Sequence, residues 1–322
     1  MSDQLLDALN AGEWRSGAEL ATQLGITRAA VWKRILRLRE AGYEIEALAG
    51  RGYRLRAAPD RLLPHEVLRH IEDCGVRFDV VHRDEVDSTN SLAAALARAG
   101  ATEGTAVVAE TQTAGRGRLG RTWSSPPNRN LYLSLVLRPP LPPTAVPQIT
   151  LVAAVSVVRA IAELVPEEPA IKWPNDVQLG GRKIAGILTE LEAEAERVRF
   201  IILGIGVNLN VTTGELPRDL RASATSLRIA SGRTVDRCRF TGRLLTHWAR
   251  DYAAFLQSGF ADLRPDYERH HALPGRRVDV SGATSVSGIV RGIASDGALL
   301  VDTGTRTERV VAGEVTLRGP RA

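Results

Sequence analysis

Two helix-capping hydroxyls eleven positions apart, with a glycine between them, constrain the start of this chain more tightly than any other feature. Ser16 stands before GAELATQL, Gly25 ends that run, and Thr27 stands before RAAVWKRILRLREAG. A hydroxyl at such a position accepts from the first free amides of a helix, and glycine supplies the left-handed turn that ends one. The pattern predicts two short helices joined through Leu24-Gly25-Ile26, a helix-turn-helix. An earlier helix presents Leu5, Leu6 and Leu9 on one face. YEIEALAGRGYRLR then alternates polar and apolar residues around Ala49-Gly50-Arg51-Gly52, which predicts a β-hairpin that would serve as a wing. Residues 27–56 hold Arg28, Lys33, Arg34, Arg37, Arg39, Arg51, Arg54 and Arg56 against Glu40, Glu44 and Glu46, an excess of five that equals the net charge of the whole chain. Such a stripe suits phosphate neutralisation, with the start of the second helix reaching base edges. Thr27, Arg28, Ala29 and Lys33 are the candidates for groove contacts, with Arg34 and Arg51 beside them on helix and wing. A protein-interaction module with a solvated cationic face is the alternative reading.

The chain has 322 residues, which implies two or three domains, and 44% of them are hydrophobic. No stretch of 18 apolar residues suggests a membrane span. The first residues lack the basic and apolar regions of a signal peptide. Cys74 and Cys238 read as reduced thiols of a cytoplasmic protein, and no Cys/His cluster predicts a metal site. Of the 42 cations only Lys33, Lys172 and Lys183 are lysine, so each poses a question that composition alone leaves open.

Residues 1–58 form the first predicted domain, and AAPDRLLP reads as a short linker. The middle region, residues 66–271, mixes strands and helices. VRFDVVHRDEV, TAVVAE, LYLSLVL, AIKW, KIAGILTEL and VRFIILGIGVNLN read as strands. Asp87-Ser88-Thr89-Asn90 reads as a capping run for SLAAALARAG, PQITLVAAVSVVRAIAELV as a buried helix and FTGRLLTHWARDYAAFL as another. Neighbouring strands without intervening helices favour an α+β mixed sheet over a doubly wound one. Residues 274–322 carry short strands separated by SGA, SDG and GTR turns, which predicts a small β-barrel.

Four segments carry chemistry. Gly115-Arg116-Gly117-Arg118-Leu119-Gly120-Arg121, followed by Thr122-Trp123, matches G-x-G-x-x-G, but RTWSSPPNRN cannot open a helix, so a dinucleotide turn is excluded. Arginines interleaved with glycines describe a mobile anion-binding loop, whose end Trp123 would anchor. Lys172-Trp173-Pro174-Asn175-Asp176 places a rigid turn and two polar side chains at a strand end. Lys183 opens the otherwise apolar strand KIAGIL, so its ammonium either enters a cleft or reaches solvent. Gly204-Ile205-Gly206-Val207-Asn208-Leu209-Asn210 offers close backbone approach and two amides, or simply a tight turn.

With GRGRLGRTW, KWPND, GRKIAGIL and the wing AGRGYRL in this order, the chain resembles the bifunctional biotin–protein ligases that double as biotin-operon repressors. The resemblance spans the whole length. It implies a winged helix-turn-helix, a class II synthetase-like ligase domain and an SH3-like C-terminal barrel. The implied substrates are biotin and ATP with Mg2+, giving biotinyl-5′-AMP. The implied acceptor is a lysine of biotin carboxyl carrier protein, a subunit of acetyl-CoA carboxylase. The resemblance also implies operator DNA as a partner and a ligand-promoted homodimer. It places Ser88, Thr89, Asn90 and Gln112 around the biotin rings and chain, with Gly115 and Gly186 beside them and Gly117, Arg121, Lys172 and Gly204 in the same shell. Asn175 and Asn208 would face the nucleotide.

Bringing a carboxylate against an α-phosphate sets two anions together, and Arg116, Arg118 and Lys183 are the candidates to offset their repulsion. Lys183 would be the central point charge and Asp176 would orient or deprotonate the incoming lysine. The stretch Arg221–Leu227 departs from the family, where a tryptophan packs on adenine. It has no aromatic here, so adenine would pack on aliphatic side chains. A lipoate–protein ligase and a biotin-sensing repressor without ligase activity are the rival readings.

Overall fold

The computed structural model describes residues 3–9, 12–194, 197–282 and 285–318, and the chain divides into two compact units, Met1–Arg61 and Leu62–Ala322. In the first unit, helix α1 (Asp3–Leu9) buries Leu5, Leu6 and Leu9. Helix α2 (Gly17–Leu24) opens on a capping box: Ser16 Oγ accepts from the Glu19 amide at 3.1 Å and Glu19 returns a bond to the Ser16 amide. Gly25 ends it in the left-handed region, and Thr27 caps α3 (Arg28–Glu40) through the Ala30 amide. Strands β1 (Glu44–Leu48) and β2 (Gly52–Ala57) pair antiparallel as the wing.

The second unit begins inside what reads as linker. Leu62 is fully buried and its amide donates to Glu110 Oε1 at 2.7 Å, and an unpredicted helix α4 (Pro64–Leu68) follows. Proline at the first helical turn hid it, because five residues are too few to show a period. Next come β3 (Asp79–Val86), α5 (Thr89–Arg98), β4 (Thr105–Gln112), β5 (Leu131–Leu137) and α6 (Val146–Ala162). The chain continues through β6 (Ala170–Lys172), β7 (Asp176–Leu179), β8 (Arg182–Glu194), β9 (Arg197–Val207), α7 (Leu227–Ser231), α8 (Arg237–Ser258) and α9 (Arg264–Arg269). The sheet order is β3-β4-β5-β9-β8-β7-β6, with β3 and β4 parallel and all other pairs antiparallel. It is thus the expected mixed α+β sheet. Helices α6 and α8 bury one face and α5 the other. The segment Pro143–Ala162 has the length and hydropathy of a membrane span, but 67% of that window is buried in this core.

Strand β7 was not expected: four residues after KWPN were too short to register, and they turn that segment into the bend of a β6–β7 hairpin. The capping run is also corrected. Ser88 takes the N-cap position of α5 but its side chain makes no cap bond, and Thr89 and Asn90 lie within the helix.

Five strands complete the unit: β10 (Arg277–Ser281), β11 (Val286–Ile293), β12 (Leu299–Asp302), β13 (Thr307–Val310) and β14 (Glu314–Leu317). They form an antiparallel sheet ordered β13-β12-β11-β10-β14 among the described residues. The SGA turn falls partly outside the described residues.

Candidate active site

Antiparallel register aligns a row across the sheet: Asp176 on β7, Gly186 on β8, Gly206 on β9 and Tyr132 on β5. Beside it runs Leu188, Gly204 and Ser134. The absence of side chains at 186, 204 and 206 opens a trough between α5 and the Arg/Gly loop. The glycines admit protein side chains here. A Cβ at residue 206 would lie 2.6 Å from the Trp123 indole, one at 186 would lie 2.9 Å from it, and one at 204 would lie 2.3 Å from Asn90 Oδ1. Gly204 and Gly206, expected to permit close backbone approach, also seat Asn90 and Trp123. The Trp123 indole nitrogen is buried there without a hydrogen-bond partner.

Lys183 settles its own alternative. Its ammonium sits 2.6 Å from Asp176 Oδ1 and 5.5 Å from the Trp123 ring centre, inside the trough. Its backbone joins the segment after β9, donating to Ser223 O at 2.7 Å and accepting from the Thr225 amide at 2.9 Å. Asn175 stands next to Asp176 with Nδ2 donating to Ile187 O and Oδ1 accepting from Arg118 Nη1, both at 3.0 Å.

The Arg/Gly loop is a folded reversal. Gly117 donates to Arg121 O, Trp123 donates to Gly115 O, and Leu119 at the tip is left-handed and exposed. Gly115 is required, since a Cβ there would lie 2.5 Å from Trp123 O. Each guanidinium has a protein acceptor. Arg116 Nη2 donates to Glu190 at 3.0 Å, Arg118 Nη2 to Gly313 O at 3.0 Å, and Arg121 pairs with Glu314. The last two acceptors lie just before and at the start of β14, so the C-terminal sheet is part of the site's wall.

A polar relay lines the α5 side. Gln112 Oε1 accepts from the Thr89 amide at 2.9 Å and lies 3.1 Å from Thr89 Oγ1, while Gln112 Nε2 donates to Ser125 Oγ at 2.9 Å. Ser134 Oγ lies 2.8 Å from Thr89 Oγ1 and 2.5 Å from Asn90 Oδ1. Ser88, Thr89, Asn90, Gln112, Trp123, Lys183, Gly186, Gly204 and Gly206 thus border one narrow cleft. It opens beside a cavity of about 440 Å³ that Lys172, Asn175, Asp176, Lys183 and Asn208 share with Val211, Leu216, Leu220 and Ala224. A wider cavity of about 800 Å³ lies between the Arg/Gly loop, α6 and the C-terminal sheet. Asn208 is buried, and its amide is committed to Thr225 O at 3.0 Å and Asn130 at 3.3 Å, so it braces the cavity wall. Asn210 likewise holds Val235.

Sequence reasoning passed over Ser134, Glu190, Asn130 and the C-terminal contributions. Ser134 and Glu190 did leave a signal, a polar residue inside an apolar strand. Gly313 and Glu314 left none, because nothing local couples them to a loop nearly two hundred residues earlier.

In the first unit, Arg28, Ala29 and Lys33 are exposed on α3 and Arg51 is exposed at the hairpin tip, while Arg34 is half-buried. The Thr27 hydroxyl is used as a cap. Arg39 donates to Ile45 O, and Arg54 and Arg56 pair with Glu46, so these three cations work inside the unit.

Comparison with known proteins identifies the family. Residues 83–208 match the profile of the biotin/lipoate A/B protein ligase family, residues 2–54 an HTH domain and residues 275–318 the biotin protein ligase C-terminal domain. The Bacillus subtilis bifunctional ligase/repressor BirA is 37% identical over 306 residues, 95% of this chain and 94% of that protein. The chain belongs to the bifunctional biotin ligase/repressor family. The Escherichia coli BirA is 33% identical over 98% of this chain and 96% of its own length. The Aquifex aeolicus biotin protein ligase, solved in complex with biotin and ATP, superposes with a TM-score of 0.66 at 31% identity, covering 74% of this chain and 98% of that one.

Proposed function

We propose that the protein joins biotin and ATP to give biotinyl-5′-AMP and pyrophosphate, then transfers the biotinoyl group to a lysine of biotin carboxyl carrier protein. The observation that carries this reading is the meeting of Lys183, Arg118 and Arg116 around one trough, between a polar cleft and a nucleotide-sized cavity. In the first step a carboxylate oxygen attacks the α-phosphorus and the bond to the β-phosphate breaks. Lys183 lies between the two oxyanions, where a compact ammonium fits and a planar guanidinium demands bidentate partners. Arg116 and Arg118 add charge from the loop side. The cleft residues Ser88, Thr89, Asn90 and Gln112 take the polar end of biotin, and the unpartnered Trp123 indole nitrogen supports a polar acceptor in the trough. Val211, Leu216, Leu220 and Ala224 supply the aliphatic packing for adenine.

No group of three or more His, Cys, Asp or Glu side chains that could hold a metal occurs among the described residues, which fits Mg2+ carried on the phosphates and water. The ion supplies charge neutralisation of the leaving pyrophosphate. In the second step the carrier amine attacks the mixed anhydride carbonyl and AMP leaves. A free lysine with pKa ~10.4 is only about 0.1% neutral at physiological pH. Asp176, freed from Lys183 when that ammonium turns to the phosphate, is placed to receive or orient its proton.

The first unit makes the protein a cytoplasmic repressor in this proposal. The adenylate-bound form dimerises, and two α3 helices reach half-sites of an operator. Ligand must favour the dimer by differential affinity, since a switch moves only as far as that difference allows. Deleting residues 1–58 leaves Leu62 and its bond to Glu110 in place. It is expected to abolish DNA binding in a gel-shift assay while the ligase reaction persists. A truncated protein that binds DNA as tightly as the full chain would refute the winged-helix assignment.

The ligase reading is tested by incubating the protein with MgATP, a carrier domain and either biotin or lipoate, then weighing the carrier. One added biotinoyl group is expected with biotin and none with lipoate. Labelling by lipoate alone would make it a lipoate ligase, and labelling by neither would leave a biotin sensor.

A further inference from the structure

Glu190 stands on β8 two residues beyond Leu188, on the α5 side of the sheet, and one of its oxygens serves two donors. Oε2 accepts from Asn90 Nδ2 at 2.6 Å and from Arg116 Nη2 at 3.0 Å. The two partners sit in different surroundings. Asn90 is buried at 4% exposure, its Oδ1 faces Ser134 Oγ at 2.5 Å, and glycine at 204 leaves it the only room it has. An amide is held in one orientation when a donor meets its oxygen and an acceptor meets its nitrogen. Ser134 provides the first and Glu190 the second. Arg116, by contrast, is 44% exposed, so its pair with Glu190 is of the weak, solvent-screened kind.

We propose that Glu190 is a positioning residue with one fixed and one displaceable partner: it sets the Asn90 amide in the cleft and neutralises Arg116 until an anionic substrate takes the guanidinium over. The proposal rests on the reading that the cleft receives biotin. It explains how an arginine in the anion-binding loop can be paired and still available. An acid gains Arg116 only by displacing Glu190, whereas the neutral amide of the same acid makes no claim on that guanidinium. Glu190 therefore sets how strongly the site prefers a charged ligand over a neutral one.

The test measures binding of biotin and of biotinamide, its neutral amide, to the full-length protein by titration calorimetry. Glu190→Gln keeps an acceptor oxygen for Asn90 but removes the counter-charge. Biotin is expected to bind about threefold tighter, with biotinamide unchanged. Glu190→Ala removes the closer acceptor and leaves Asn90 Nδ2 only the Leu188 carbonyl, at 3.5 Å. Biotinamide is then expected to weaken about tenfold, and biotin, which also gains the freed Arg116, only about threefold. Equal shifts for the two ligands in Glu190→Gln would overturn the proposal, and that isosteric variant decides the matter even if the alanine variant unfolds. Unchanged binding in a folded Glu190→Ala would overturn it as well. Wild-type protein that binds neither ligand would overturn the biotin reading and this one with it. Wild-type protein that binds both, with variants that leave their ratio intact, would overturn only this one.

Discussion

Lys183→Ala is expected to lower biotin-dependent exchange of pyrophosphate into ATP by about 1,000-fold, the upper range for removing one preorganised electrostatic contact from a reacting oxyanion. The expectation follows from where the ammonium lies. It is within 2.6 Å of Asp176 Oδ1 and faces the junction of cleft and cavity, so its charge acts where carboxylate and α-phosphate meet. The fold should tolerate the change, because residue 183 holds the Ser223–Thr225 segment through backbone atoms that alanine keeps. Lys183→Arg should not restore the rate, since a planar fork cannot occupy a point position between two oxyanions. Near-normal exchange in the alanine variant, with unaltered thermal unfolding, would remove Lys183 from the chemistry.

Arg237→Met is expected to lower the unfolding free energy of the ligase unit by about 3–5 kcal/mol, the range for orphaning one partner of a buried ion pair. Arg237 is fully buried at the start of α8, and its Nη1 donates to Glu110 Oε2 at 2.8 Å. Glu110 Oε1 also accepts from the Leu62 amide and lies 3.0 Å from His82 Nε2. Burial pushes the Glu110 carboxyl up, but hydrogen bonding to His82, the Arg237 charge and the Leu62 amide outweigh it and hold the group below the ordinary carboxylate value. A lowered folded value means that its stabilisation is complete above the unfolded pKa and is lost as pH falls through the folded one. Without Arg237 the burial effect gains weight and the carboxyl moves up. The variant's deficit is then largest at neutral pH and narrows on mild acidification, as protonation relieves the orphaned charge. Urea unfolding followed by tryptophan fluorescence at neutral and mildly acidic pH measures both. A neutral-pH loss below about 1 kcal/mol, the size of an exposed pair, would contradict the account. Because Arg237 also contacts Asn130 O, and Asn130 holds Asn208, the same variant should weaken nucleotide binding.

The sequence was most legible where a local rule operates. Ser16, Gly25 and Thr27 are caps whose partners lie within five residues, so the helix-turn-helix could be read directly. Lys183 was conspicuous because a charge opened an apolar strand in a chain with three lysines, and Lys172 and Lys183 now border the same cavity. Illegible features depend on register and tertiary approach. Nothing in GIGVN says that Gly206 makes room for Trp123, eighty-three residues earlier, or that Gly204 makes room for Asn90. The polar relay through Ser134 and the closing contacts of Gly313 and Glu314 arise only once β5, β9 and the C-terminal sheet are in place. Strand β7 and helix α4 were missed for a simpler reason, since each is shorter than the window that reveals a period.

The claim on which the rest depends is that this trough joins a carboxylate to an α-phosphate. It is tested by mixing the wild-type protein with biotin and MgATP, without carrier, and identifying the small molecules released by acid from the washed protein. One biotinyl-5′-AMP per chain, with an equal amount of pyrophosphate in the wash, is the predicted result. Recovery of unreacted biotin and ATP, or of ADP and phosphate in their place, would contradict it.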